Sequence, residues 1–176
     1  MVQTQFQVKI QVFQTDNGKK KFSSMLGNYL TKNGIIHQSS CVDTAQQNRV
    51  AKRKNKHLLE VARSLMFTMG VSNYFWGEAI LTAYYLINRL PTSALKFKTP
   101  IKLLQQLYPM SQSFTSLPPK VFGCVAFVHD KNHNKSKLDP RSLKCVFVGY
   151  SPTQKEYKCF HLPTKKYFVT MDVTFF

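Results

Sequence analysis

Six residues in one short stretch, Arg49, Lys52, Arg53, Lys54, Asn55 and Lys56, have the types and spacing to hold an anion. At helical periodicity Arg49, Lys52, Arg53, Lys56 and the later Arg63 share one side, and no acidic residue falls between Arg49 and His57. Such a face can contact phosphates, and it is equally the pattern of a solvated helix face. Asp16 is the other residue placed for chemistry, in the turn Thr15-Asp16-Asn17-Gly18. A carboxylate there can ligate a metal or act as a general base, and it can as readily satisfy its own turn backbone. Two-metal phosphoryl transfer needs several convergent carboxylates, and the first 107 residues otherwise offer only Asp43, Glu60 and Glu78. Of the four cysteines, Cys41, Cys124, Cys145 and Cys159, no two form a C-x-x-C pair, and three lie in apolar runs. His37 and Cys41 are one loose pair with no second pair to complete a tetrahedral zinc site.

The elements that must position these residues follow from hydrophobic period. Residues 45–69 predict one long helix, whose back carries Ala51, Leu58, Val61, Ala62, Leu65, Met66 and Met69. Residues Gln5–Phe13 alternate apolar and polar, predicting a strand that ends just before Asp16. A helix over Phe22–Asn33, stopped at Asn33-Gly34, and a short strand over Gly34–His37 follow, so the opening order is strand, helix, strand, helix. A further helix is predicted over Tyr74–Asn88, with Trp76 read as core or interface, and Pro91 follows its end. Thr99-Pro100 caps a short helix over Ile101–Leu107. Residues 108–120, with three prolines, read as a linker. Beyond it, Val121–His129, Ser142–Tyr150, Tyr157–Leu162 and Tyr167–Phe175 are strands separated by turn residues, suggesting a small closed barrel.

The 176 residues suffice for one ordinary domain, or for part of one with a small second. With 25 Lys and Arg against 8 Asp and Glu, the formal charge is +17, which points to a polyanionic partner, nucleic acid before an acidic membrane surface. The N-terminus lacks a long apolar run, and no stretch approaches the ~20 apolar residues of a membrane span, so an intracellular, soluble protein is expected.

Several motifs then agree in order. TDNG at Thr15–Gly18, NGIIHQSSC at Asn33–Cys41, QQNRVAKRKNKHLLEVAR at Gln46–Arg63, FWGEA at Phe75–Ala79 and YLINRLPT at Tyr85–Thr92 resemble the integrase region of copia-type retrotransposon polyproteins. VFGCVAFVH at Val121–His129, SKLDPRSLKCVFVGYS at Ser136–Ser151 and MDVTFF at Met171–Phe176 resemble the SH3-like domain that follows that region. The resemblance implies a ribonuclease H-like core in which two aspartates and one glutamate bind Mg²⁺ or Mn²⁺ and join element DNA to target DNA. It assigns the second aspartate to Asp16, and it assigns the glutamate of a Gly-x-x-Glu-Arg-Lys-Asn pattern to position 52, where this chain has Lys52. The glycine is replaced by Arg49, and Gly18-Lys19-Lys20 stands where Gly-Gly-Glu is usual. The first aspartate, with its strand, belongs upstream of Gln5.

The resulting expectation is an α/β fold, a truncated ribonuclease H-like core over residues 1–107, then a linker over 108–120 and an SH3-like β-barrel over 121–176. Asp16 is expected to be a vestigial metal ligand and Lys52 a non-functional replacement, leaving no cofactor and no integrase activity. Replacing a carboxylate by an ammonium turns an attraction into a repulsion of about 4 kcal/mol per unit charge pair at ~4 Å and an effective dielectric of ~20. Glu60 lies about 12 Å further along the helix axis and cannot substitute. Weak electrostatic DNA binding through Arg49, Lys52, Arg53, Lys54, Asn55 and Lys56 is expected to survive. Self-association through an exposed sheet edge is a further expectation, and the alternative reading is a non-catalytic protein-interaction module. A nuclear location is implied by the resemblance alone.

Overall fold

The computed structural model describes residues 3, 6–15, 24–39, 49–109, 117–130, 136, 138–152 and 154–176. The chain divides into two compact units, residues 1–56 with 108–112 and residues 57–107 with 113–176.

In the first unit, β1 (Val12–Thr15), α1 (Ser24–Lys32) and β2 (Ile36–Ser39) form a parallel β-α-β arrangement, with Val12 opposite Ile36 and Thr15 opposite Ser39. The predicted strand over Gln5–Phe13 is displaced towards its C-terminal end. Only Val12–Thr15 have a partner in β2, and Gln7 adopts a left-handed φ of 54°, which a strand does not accommodate. The predicted stop at Asn33-Gly34 is present. Gly34 takes φ 66°, its N–H reaches the Thr31 carbonyl at 3.1 Å, and the Ile35 N–H reaches Leu30 at 2.9 Å. These two bonds are the Schellman pair that satisfies the last carbonyls of a helix. Little of the unit is sealed: among its described residues only Thr15 and Leu30 are buried.

α2 (Arg49–Thr68) begins in the first unit and ends in the second. Its core-facing back starts later than the pattern suggests. Ala51 is exposed, Leu58, Val61, Leu65 and Met66 are half-buried, Ala62 is buried, and Met69 just beyond the helix is exposed. A single 3₁₀ turn, Asn73–Phe75, is capped by the Ser72 hydroxyl, which accepts from the Tyr74 N–H at 3.3 Å. It leads into α3 (Trp76–Ile87). α4 (Pro100–Leu107) opens as its sequence dictates: proline takes the first helical position, and the Thr99 hydroxyl accepts from the Lys102 N–H at 3.3 Å.

The second unit also holds five antiparallel strands, β3 (Val125–His129), β4 (Ser142–Tyr150), β5 (Tyr157–His161), β6 (Lys166–Thr170) and β7 (Val173–Phe175), in the order β6-β5-β4-β3-β7. The sheet curls, since Phe175 of β7 reaches Tyr157 of β5 with ring centroids 4.8 Å apart. Inside the curl, Cys124, Ala126, Val128, Cys145, Phe147 and Cys159 are buried together. Part of the outer face is covered as well. There Phe122, Val148 and Phe160 pack with Ala62, Phe75, Ala79 and Ala83 in a second core shared by helices and sheet.

Two small-residue features permit that approach. Ala79 and Ala83 leave no accessible surface, and a β-bulge between Phe147 and Gly149 turns Val148 to the helices and returns Tyr150 to the inner core. A Cβ on Gly149 would stand 2.6 Å from the Thr82 hydroxyl oxygen. The second half of α2 and α3 thus pack on the strands, and Leu117, within the predicted linker, is 3% exposed in the inner core.

Candidate nucleic-acid interface

The first turns of α2 present Arg49, Lys52, Arg53, Lys54, Asn55 and Lys56, and all six are exposed. They belong to one helix because nothing in Arg49–Thr68 breaks it, with neither Gly nor Pro in its twenty residues. Arg49, Arg53 and Lys56 and, one residue aside, Lys52 run along one side at i, i+4 and i+7 spacing. From Arg49 to Lys56 the helix advances roughly 10 Å, a length over which duplex DNA carries about six phosphates. The geometry therefore fits several phosphates at once.

Electrostatics at this end favour a bound anion. The first turn of α2 holds no acidic residue, so the positive end of the helix dipole coincides with Arg49 and Lys52. Cations at a helix N-terminus cost a few tenths of a kcal/mol to about 1 kcal/mol each, and a phosphate placed there relieves the cost.

Asp16 lies outside the described residues, as do Cys41 and Asp43. β1 ends at Thr15, whose hydroxyl lies 2.8 Å from His37 Nε2, so that ring already has a partner within the first unit. Of the remaining acidic candidates, Glu78 holds Lys158 Nζ at 2.5 Å in a largely covered ion pair that ties α3 to β5, and Glu60 sits on the exposed part of α2. Among the described residues no three His, Cys, Asp or Glu side chains gather in metal-ligand geometry. The residues around position 52 do not fit a divalent cation, because the exposed Lys52 presents an ammonium, which repels a cation.

Two features of the second unit escape sequence reasoning. Trp76 is 63% exposed, so it is not a core residue, and it borders an apolar cleft of about 300 Å³ with Leu59, Arg63, Met66, Phe67 and Ile80. The other is an aromatic cluster. Tyr85 stacks on Tyr150 at 3.7 Å, and the Arg89 guanidinium lies 3.4 Å from the Tyr85 ring centroid. Tyr85 sits in the predicted helix over Tyr74–Asn88, yet its partner is 65 positions away, which no local pattern reports. Burial among these rings pushes the Tyr150 phenol up to about 12. Among the described residues no helix is long and apolar enough to cross a membrane.

Residues 124–176 match the family described as the retroviral polymerase SH3-like domain. The chain is 35% identical over 175 residues to the retrovirus-related Pol polyprotein from transposon RE1 of Arabidopsis thaliana, covering 99% of this chain and 12% of that protein. It is 35% identical over 167 residues to the Pol polyprotein from transposon TNT 1-94 of Nicotiana tabacum, covering 95% of this chain and 12% of that one. Among solved structures, a simian T-cell lymphotropic virus intasome in complex with PP2A regulatory subunit B56 gamma overlaps 94% of this chain and 57% of the other, with 13% identity and a TM-score of 0.48. A likeness of that size fixes no fold. The relatives are thus about eight times longer than the part this chain matches.

Proposed function

Residues 124–176 carry a retroviral polymerase SH3-like domain in a chain related along its length to copia-type retrotransposon Pol polyproteins, and from that footing we propose a nucleic-acid-binding remnant of an integrase. The remnant lacks strand-transfer chemistry. Its first unit derives from a ribonuclease H-like core, and α2 is the helix that would supply the last metal-binding carboxylate. The observation that carries the reading is the exposed face of α2, which presents Arg49, Lys52, Arg53, Lys54, Asn55 and Lys56 together, Lys52 standing where the resemblance to integrases puts a carboxylate. An ammonium repels the divalent cation that strand transfer requires and attracts the phosphates that binding requires. Asn55 adds an amide that donates to phosphate or to a base edge.

Binding of this kind is salt-steep and indifferent to sequence. Neutralising four or five phosphates gives a slope of about −4 in log affinity against log salt for duplex DNA. Filter binding of the chain to unrelated duplexes between about 50 and 200 mM salt, a range that resolves such slopes, reads this directly. An affinity flat with ionic strength would overturn the binding part. Strand-transfer product formed with Mg²⁺ or Mn²⁺ would overturn the catalytic part.

The exposure of Trp76 beside an apolar cleft favours a second reading, a protein-interaction module. A partner seated there buries the indole. The Trp76→Ala variant would then lose that partner while keeping the salt dependence of DNA binding, which separates the two readings.

A further inference from the structure

Residues 117–120 dock on the aromatic cluster of the second unit, and four of their polar backbone groups are read by tyrosines. The Tyr85 hydroxyl accepts from the Leu117 N–H at 2.8 Å and donates to the Leu117 carbonyl at 3.0 Å. The Tyr157 hydroxyl donates to the Pro118 carbonyl at 3.4 Å, and the Lys120 N–H donates to the Tyr150 hydroxyl at 3.0 Å. The two residues whose N–H would have no acceptor are both prolines, which have none. The Leu117 side chain is the anchor, 3% exposed, with Tyr85 and Tyr157 in the same core cluster. At the far end the Lys120 ammonium lies 4.6 Å from the Phe175 ring centroid. Consecutive prolines and the residue before them favour extended backbone, so little ordering entropy opposes this docking.

Pro118 and Pro119 stay exposed and keep the backbone extended, while the site itself offers hydroxyls aimed at backbone groups and one deep side-chain pocket, elements by which grooves take extended peptides. We propose that Tyr85, Tyr150, Tyr157 and Phe175 form a binding site for an extended Leu-Pro-Pro-Lys peptide, which the chain's own residues 117–120 occupy in cis. The tethered segment faces its site at an effective concentration on the order of millimolar, so a free peptide competes only when the tethered copy is weakened. The site is therefore closed in the intact chain and opens when Leu117 loses its hold. It is independent of the basic face of α2 and of any role in nucleic-acid binding.

The test uses the full chain and a fluorescently labelled peptide of sequence Thr-Ser-Leu-Pro-Pro-Lys-Val, followed by anisotropy. Leu117→Ala is expected to bind the peptide at least tenfold more tightly than the unaltered chain does, and a peptide with alanine for its leucine is expected not to bind. Equal affinity of the two proteins, or equal binding of the leucine-lacking peptide, overturns the proposal. If Leu117→Ala does not fold, Tyr85→Phe keeps the ring stacked on Tyr150 and removes only the hydroxyl. Exchange of the Leu117 amide hydrogen is then expected to accelerate at least tenfold, while that of Phe147, bonded to Cys124 in the sheet, stays unchanged. An unchanged Leu117 rate overturns the proposal as well.

Discussion

Single atoms decide the closeness of helix and sheet in the second unit. Gly149 has φ 135°, and its missing side chain leaves room for the Thr82 hydroxyl of α3. Gly149→Ala combines backbone strain with a clash against a buried neighbour, and each such effect is typically about 1–3 kcal/mol. A loss of about 2–4 kcal/mol in urea unfolding is expected. The tyrosines add a pH dependence of definite sign. The Tyr150 phenol is raised from 10.0 to about 12, first by burial and then by the neighbouring Tyr85 and Tyr157, and the buried Cys159 thiol is raised from 9.0 to about 12. For both groups the neutral form is the one the fold prefers. Their stabilisation is fully present below about pH 9 and is lost as pH rises towards 12. Unfolding at about pH 11 is expected to require at least about 1 kcal/mol less than at about pH 8, since a tenfold difference in proton affinity between folded and unfolded chains corresponds to about 1.4 kcal/mol. Equal stability at the two values would place these groups in water.

Among the elements, α2 serves two demands that pull apart. Arg49 is unfavourable for the helix because it faces the positive end of the dipole, and favourable for a phosphate ligand. Arg49→Glu is therefore expected to raise stability by about 0.5 kcal/mol while weakening DNA binding and flattening its salt slope by roughly one to two, at about 0.9 for each phosphate no longer neutralised. Thermal unfolding and filter binding on the same variant check both signs. The element pattern was legible where local rules suffice. The Asn33-Gly34 stop, the Thr99-Pro100 start and the strand over Ser142–Tyr150, bounded by turn residues, all needed only neighbours within a few residues. The shift of the first strand from Gln5–Phe13 to Val12–Thr15 was not legible, because β1's length is set by its partner β2 and not by its own alternation. The sequence leaves Trp76 between core and interface for a related reason: a tryptophan in a helix says nothing by itself about whether another layer covers it, and its exposure excludes the core.

For the chain in solution, charge and unpaired backbone govern behaviour. A formal +17 favours polyanions at low ionic strength, over whatever surface presents it. The two-stranded sheet of the first unit gives β1 and β2 one strand partner each among the described residues, with Val12, Phe13 and Ile36 exposed. Unpaired, apolar edges recruit further strands. Sedimentation is expected to show association that grows with protein concentration and is suppressed by Ile36→Lys; a monomer at all concentrations would remove this expectation. The second half of α2 and α3 share an outer core with β4 and β5, so these helices and the SH3-like sheet belong to one unit.

The cationic run from Arg49 to Lys56, the order of the elements and the relation to retrotransposon Pol polyproteins can all be read along the chain. Those are properties of composition, period and motif, carried by residues close together in sequence. Packing alone makes Leu117 a core anchor in a segment that reads as linker. It also gives Glu78 to Lys158 and lays Tyr85 against Tyr150. Burial and pairing arise between residues tens of positions apart, and the free energy that fixes them belongs to the packed layers and to no stretch of sequence.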